Sequence, residues 1–180
     1  FISGDFYEHD YIRNTTIKTI IENFSNIPNT KIYISPGNHD PYIKNSEYEK
    51  NNWPNNVHIF KNYEVIEEDN VNIYGYGFTD FYDNGIDLND IEILENGKKN
   101  IFVIHGDLAS SESSEGVGNN YNPLYLKKLS KLGFDYVALG HIHKSNFKND
   151  NHVLYPGSFL SYRFSDDNAG AIVGEFKKGY

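Results

Sequence analysis

Lys31-Ile32-Tyr33-Ile34-Ser35-Pro36-Gly37-Asn38-His39-Asp40 is the stretch whose reading decides the fold. The apolar run from Lys31 to Ile34 predicts a strand, and the Pro36-Gly37 turn ends it just ahead of three chemically capable side chains. A strand that delivers its chemistry at its C-terminal end is the plan of an α/β enzyme. Asn38 offers an amide oxygen, His39 an acid or base near neutral pH, and Asp40 a carboxylate able to orient that imidazole. A polar turn with solvated side chains reads these residues equally well, so the rest of the chain decides.

Upstream, Phe1-Ile2-Ser3 predicts the end of another buried strand, with Gly4 permitting a tight turn and Asp5 exposed at its tip. Ile12, Ile17, Ile20, Ile21 and Phe24 fall on one face of an amphipathic helix over about 11–24, which Asn26-Ile27-Pro28-Asn29 stops. Strand, helix and strand form a β-α-β unit. The two strands are therefore expected to be parallel, with Asp5 and Asn38-His39 at the same edge.

Downstream, residues 41–56 read as a polar loop with one helical turn. Val57 to Phe60, Tyr63 to Ile66 and Val71 to Phe78 alternate like an antiparallel meander. The aromatics of Tyr74-Gly75-Tyr76-Gly77-Phe78 suit packing between sheets better than a platform for bases. Residues 80–95 are acidic and predict a partly helical, solvated surface. Ile101-Phe102-Val103-Ile104 predicts a strand buried on both faces that delivers His105-Gly106-Asp107. A Ser-rich loop over 109–120 leaves the same edge. Asn122-Pro123 opens a helix through Leu124, Leu126, Leu129 and Leu132, stopped by Gly133. Asp135 to Leu139 is a further buried strand, ending in Gly140-His141-Ile142-His143. Asn146 to His152 predicts a hairpin into Val153 to Ser158, and Ala171 to Phe176 a last strand.

No internal repeat or linker interrupts the 180 residues, which read as one domain with a core rich in its 15 Tyr and 12 Phe. The net charge of −9 argues against a broad grip on nucleic acid, and two bound divalent cations would leave it acidic. Any polyanion must meet a local positive site, which metal ions in an acidic pocket provide. The absence of Cys excludes disulfides, thiolate ligands and Cys nucleophiles; it fits a reducing compartment, and we expect a cytoplasmic location. No apolar run approaches the ~20 residues of a membrane span, and no signal peptide is expected. Opening on a strand end and lacking Met, the chain reads as a piece of a longer protein.

Four predicted strands thus end in Asp5, Asn38-His39-Asp40, His105 and His141-x-His143. Four of the seven His sit at these ends; His9, His58 and His152 read as surface or hairpin residues. Residues i and i+2 of an extended segment point to one side, so His141 and His143 can share a pocket. With a carboxylate, an amide oxygen and a third His nearby, mixed N/O ligation follows, suited to Mn²⁺, Fe, Zn²⁺, Co²⁺ or Ni²⁺ better than to Ca²⁺ or Mg²⁺.

Gly4-Asp5, Gly37-Asn38-His39-Asp40, His105-Gly106 and Gly140-His141-x-His143, in this order, resemble the motifs of the calcineurin-like metallophosphoesterases. Tyr155-Pro156-Gly157-Ser158 and Trp53-Pro54-x-Asn56-Val57-His58-Ile59-Phe60 look more particularly like SbcD/YhaO-type DNA repair exonucleases. The resemblance implies an α/β fold of two mixed β-sheets packed face to face and flanked by helices, a four-layer αββα arrangement. It implies that Asp5 bridges two divalent metal ions, that Asn38, His105 and His141 complete one of them, and that His143 belongs to the other. His39 would be catalytic, held by Asp40. The family also places an Asp-x-His motif on a first strand ahead of Gly4-Asp5, and this chain lacks it. Residues 1–180 are accordingly expected to be a catalytic domain without its first strand and without a C-terminal capping domain.

The function so implied is phosphodiester hydrolysis at a dinuclear centre, with Mn²⁺ the first choice of metal, in a DNA repair exonuclease that acts on DNA ends beside an ATPase partner. Two other readings stand: a phosphatase or phosphodiesterase on nucleotides, small phosphoesters or phosphoproteins, and a non-catalytic scaffold. The acidic charge favours the former and the missing motif the latter.

Overall fold

The computed structural model describes residues 1–109, 121–146, 152–160 and 170–176. Its strands are β1 (Ile32–Ile34), β2 (Val57–Ile59), β3 (Glu64–Glu67), β4 (Val71–Tyr76), β5 (Lys99–His105), β6 (Asp107–Ala109), β7 (Pro123–Tyr125), β8 (Tyr136–Gly140) and β9 (Val153–Leu154). Its helices are α1 (Asn14–Ser25), α2 (Glu47–Lys50) and α3 (Leu126–Leu132).

The alternation of side chains along the strands builds four layers. Ile17 of α1 packs with Ile32 and Ile34, the outward residues of β1. Tyr33 points the other way and meets Phe60, Ile73, Ile101 and Val103, which close the space between the sheet of β1 and β2 and the five-stranded sheet. Tyr74, Phe102 and Ile104, one residue along from these, face Leu129 of α3 across a third apolar layer. The order is therefore helix, sheet β1-β2, sheet β3-β4-β5-β8-β9, helix, with β6-β7 a small separate ladder. This is the mixed α/β, helix-flanked double sheet expected from the motifs.

The β-α-β reading holds: Ile2 bridges Ile34 in parallel, and α1 lies between them in sequence. One helical turn, α2, interrupts 41–56 as expected. The meander does not form as one unit. β3 and β4 are antiparallel, but β2 leaves them and pairs with β1 in parallel. Asn56 explains the choice, because its amide nitrogen lies 3.0–3.1 Å from the carbonyls of Phe24, Ile27 and Thr30. The two N–H of that amide are shared among the three carbonyls, which ties the residue before β2 to the end of α1 beside β1.

β5 is buried from Asn100 to His105 and sits centrally, parallel to both β4 and β8. Residues 80–95 are less solvated than predicted: Leu88 and Ile91 enter the core around a 3₁₀ turn. The helix after Pro123 starts later than predicted, since Pro123–Tyr125 pairs with β6 first. It stops at Gly133, which takes φ +88°. β9 pairs with β8 in parallel, so the predicted hairpin is corrected; its turn falls partly outside the described residues, as does the loop expected over 109–120 from 110 onward. Ala171 to Phe176 form no strand and lie mostly exposed, without a ladder partner among the described residues. Among the described residues no helix is long and apolar enough to cross a membrane.

Candidate metal centre

The ends of the Ile2 segment and β1, in one sheet, and of β5 and β8, in the five-stranded sheet, meet at one edge. Their tips carry Asp5, Asn38-His39-Asp40, His105 and His141. Ligand atoms of Asp5, His105 and His141 all lie within 4.8 Å of one another. Glycine precedes three of these tips for reasons of space. A Cβ on Gly37 would stand 2.6 Å from Asp5 Oδ1 and 2.8 Å from the His105 ring, and one on Gly140 would collide with the Ser3 carbonyl. Gly4 adds a conformational reason, with φ +79°.

The side chain of His105 is fully buried. Its Nδ1 donates to the Ser3 carbonyl at 2.8 Å, which leaves the Nε2 lone pair facing inward. There it meets Asn38 Oδ1 at 3.0 Å and Asp5 Oδ1 at 3.5 Å. Three acceptors thus converge, the arrangement a cation resolves. Burial foremost drives the His105 pKa down to about 4, against the opposing Ser3 hydrogen bond and the charge of Asp40. The ring is therefore neutral at pH 7, the state that binds metal, and its approach to Asp5 is no ion pair.

His141 supplies a second imidazole, its ring centroid 5.1 Å from that of His105. Its Nδ1 is buried without a hydrogen-bond partner, and its backbone sits at φ +105°, an unusual conformation for a residue with a Cβ. Burial first, then the neighbouring His105, lowers its pKa, while Asp5 and Asp107 act the other way. A buried ring nitrogen without a protein partner, in a residue with a ligand atom within 4.8 Å of those of Asp5 and His105, fits a metal ligand. Asp5, at φ +54°, has its carboxyl pushed up by burial, against the hydrogen bond from His39 and the charges of His39, His141 and His143. A divalent cation would reverse that shift.

His39 and Asp40 do not pair as expected. The Asp40 carboxylate is fully buried and accepts from the backbone N–H of Gly37 at 2.7 Å, Asp5 at 2.9 Å and Phe6 at 2.8 Å, and from the Tyr48 hydroxyl at 2.5 Å. It ties the tip that carries Asp5 to the turn that carries Asn38. The expectation that Asp40 orients His39 is corrected on this geometry, because both of its oxygens are committed to the loops. The imidazole of His39 instead meets Glu8, Nδ1 to Oε2 at 2.7 Å, and its backbone N–H donates to Asp5 Oδ1 at 3.1 Å. Burial lowers its pKa, but Asp5, Glu8 and Asp40 together outweigh that and leave it raised.

His143 stands exposed beyond this cluster, near enough for its charge to bear on Asp5. Of the three histidines read as ordinary, His58 lies beside Glu64 and His152 is exposed. His9 is closer to the chemistry: it is half-buried, donates its backbone N–H to the His39 carbonyl at 2.9 Å, and has a buried Nδ1 without a hydrogen-bond partner. Glu8 escaped the sequence reading although it follows Asp5 by three residues. A carboxylate on the same tip as Asp5 was the available signal.

A family model described as calcineurin-like phosphoesterase matches residues 1–145. The chain belongs to this family, hydrolases that use divalent metals. It is 33% identical over 139 residues, 71% of its length, to a protein of Bacillus subtilis (strain 168) named uncharacterized metallophosphoesterase YhaO. It is 31% identical over 81 residues, 42% of its length, to a protein of Staphylococcus epidermidis (strain ATCC 12228 / FDA PCI 1200) named as one of the subunits of nuclease SbcCD. The matched segments cover 32% and 21% of those relatives, so the chain spans about a third or less of each.

Proposed function

We propose that this chain carries the catalytic site of a metal-dependent phosphodiesterase that acts as a DNA exonuclease. The observation that carries the reading is the convergence of Asp5, His105 and His141 on one point, with Asn38 Oδ1 beside them and His39 on the adjoining turn. Asp5, Asn38, His105 and His141 would hold one divalent ion, and Asp5 and His143 would contribute to a second. Mn²⁺ is the proposed metal, on the mixed N/O donor set. A divalent centre held there would supply an acidified water and neutralise the charge of a phosphodiester.

The chain's own residues do the rest. Neutral His105 keeps its Nδ1 proton on the Ser3 carbonyl, which fixes the ring and its tautomer. Glu8 takes the Nδ1–H of His39, so Nε2 is the nitrogen left to give a proton to the departing oxygen. The elevated pKa of His39 keeps that proton available near neutrality. Asp40 holds the loops on which both depend.

The relative named for nuclease SbcCD supports the nuclease assignment and, being named as one subunit of a complex, a partner; we propose an ATPase in that role. The net charge of −9 supports a second reading, in which the substrate is a nucleotide or small phosphoester. The full-length protein, assayed with Mn²⁺ on linear DNA ends and on a generic phosphodiester, separates them. Release of nucleotides from DNA ends supports the exonuclease. Hydrolysis of the small ester alone supports the second reading, and bound metal without turnover of either overturns both in favour of a scaffold.

A further inference from the structure

The conspicuous aromatic run of β4 is not a binding surface: Tyr74 and Phe78 are fully buried, and Tyr76 holds Asp83 through its hydroxyl. The next two aromatics in the chain are different. Tyr82 is 63% exposed and Phe81 36%. Single exposed rings are common and need no explanation. These two stand in a series of rings that leads out of the candidate metal centre.

The series begins at His105, whose ring centroid is 5.1 Å from that of His141. Tyr121 follows, 5.3 Å from His141 and inclined by 34°. Tyr82 is stacked on Tyr121 at 5.9 Å and 29°. Phe81 turns toward the other side of the site, its ring 5.6 Å from and edge-on to His9, whose N–H rests on the His39 carbonyl.

The segment that bears Tyr82 is held to the metal ligands by its own bonds. Asp83 bridges Tyr121 in a parallel β-bridge, and its carbonyl accepts from Asn122 N at 2.8 Å. The Asp83 carboxylate takes the Tyr76 hydroxyl at 2.9 Å and the Gly85 N–H at 2.7 Å. Asn122, buried and at φ +49°, reaches the His105 carbonyl with its Nδ2 at 2.7 Å. The loop with the exposed ring is thus anchored to the backbone of the innermost ligand, and its orientation is set before any ligand arrives.

We propose that Tyr82, backed by Tyr121, is a stacking platform for an unpaired nucleobase next to the scissile phosphate; this rests on the phosphodiesterase reading. On this proposal the sugar and base beside a phosphate held among Asp5, His105 and His141 would follow the ring series outward to Tyr82, the exposed ring at its end. Stacking tolerates any base and uses no cationic side chain. It therefore reconciles a nucleic-acid substrate with a net charge of −9, where a Lys/Arg-lined groove is not to be expected.

The test uses the full-length protein, the Tyr82→Leu and Tyr82→Trp variants, and two hydrolysis-resistant phosphorothioate oligonucleotides of equal length. One carries thymine throughout and the other is abasic at the terminal positions. Dissociation constants are measured by fluorescence anisotropy, so the result does not depend on turnover. The wild type is expected to bind the thymine strand on the order of 10-fold more tightly than the abasic one. Tyr82→Leu reduces that ratio to near 1, and Tyr82→Trp retains it. Equal affinity of the wild type for both strands, or an unchanged ratio in Tyr82→Leu, overturns the platform. Wild-type turnover of the corresponding phosphodiester strands is read separately: base discrimination without turnover sinks the phosphodiesterase reading and leaves the platform standing, whereas turnover without discrimination does the reverse.

Discussion

Glu8 Oε2 and His39 Nδ1 stand 2.7 Å apart, joining the tip that carries Asp5 to the turn that carries Asn38. Both side chains are about half exposed, so the pair adds little to stability. Its effect is on orientation and on the proton of His39. Glu8→Gln keeps a hydrogen-bonding group and removes the charge. Turnover is expected to fall by on the order of 10-fold with bound metal unchanged. Because Glu8 helps to raise the His39 pKa, the alkaline limb of the pH–rate profile should also move to lower pH. A profile that keeps its position in Glu8→Gln would show that Glu8 does not govern His39.

His39→Ala removes the proposed acid and no proposed ligand. Metal content should stay nearly intact while turnover falls by ~10²-fold or more. Parallel loss of metal and activity would make His39 a ligand instead.

Asp40→Asn separates the corrected role of this residue from the expected one. A buried carboxylate that accepts from three backbone amides and Tyr48 cannot be replaced by an amide without turning an N–H against a donor. The variant is expected to lose about 2–3 kcal/mol in denaturant unfolding. It should also bind metal more weakly, since the tip that carries Asp5 loosens. A stable, metal-replete but inactive Asp40→Asn would restore Asp40 to the catalytic step.

Asp135 offers a test away from the site. Its carboxylate accepts from Lys99 Nζ at 2.6 Å and from Asn100 N at 2.8 Å, which ties β8 to β5. Burial raises its pKa, but Lys99 and Asn100 outweigh burial and hold it below the usual 3.8. A depressed carboxylate contributes stability above its unfolded pKa and loses it as pH falls through the folded value. Asp135→Asn should therefore unfold about 1 kcal/mol more easily at pH 7. The gap should close as pH falls below the usual 3.8 and through the lowered value of the folded state. A gap that stays constant down to pH 2 would show that charge at Asp135 is irrelevant.

Much of the centre was legible in the order of residues, because each tip pairs a strand with the polar side chain that follows it. Apolar runs such as Ile101 to Ile104 announce strands buried on both faces, and parallel β-α-β connection brings their C-terminal ends to one edge. From that alone Asp5, Asn38, His39, His105 and His141 could be placed together, and the structure places them so. Pairing partners were less legible. β2 alternates as well as β3 does, and its place beside β1 follows from tertiary contacts, the packing of Val57 and Ile59 with Ile32 and Ile34 and the reach of Asn56 to the end of α1.

What the chain by itself determined, then, is which residue types stand at the strand ends, since that follows from local periodicity and from turn chemistry. Tertiary structure alone decided which side chain meets which. Asp40 adjoins His39 in sequence, yet its oxygens are taken by the amides of Gly37, Asp5 and Phe6, and His39 finds Glu8 across the gap between two loops. Hydrogen bonds of a buried carboxylate are set by the donors that burial leaves without water, and these come together only when the loops pack.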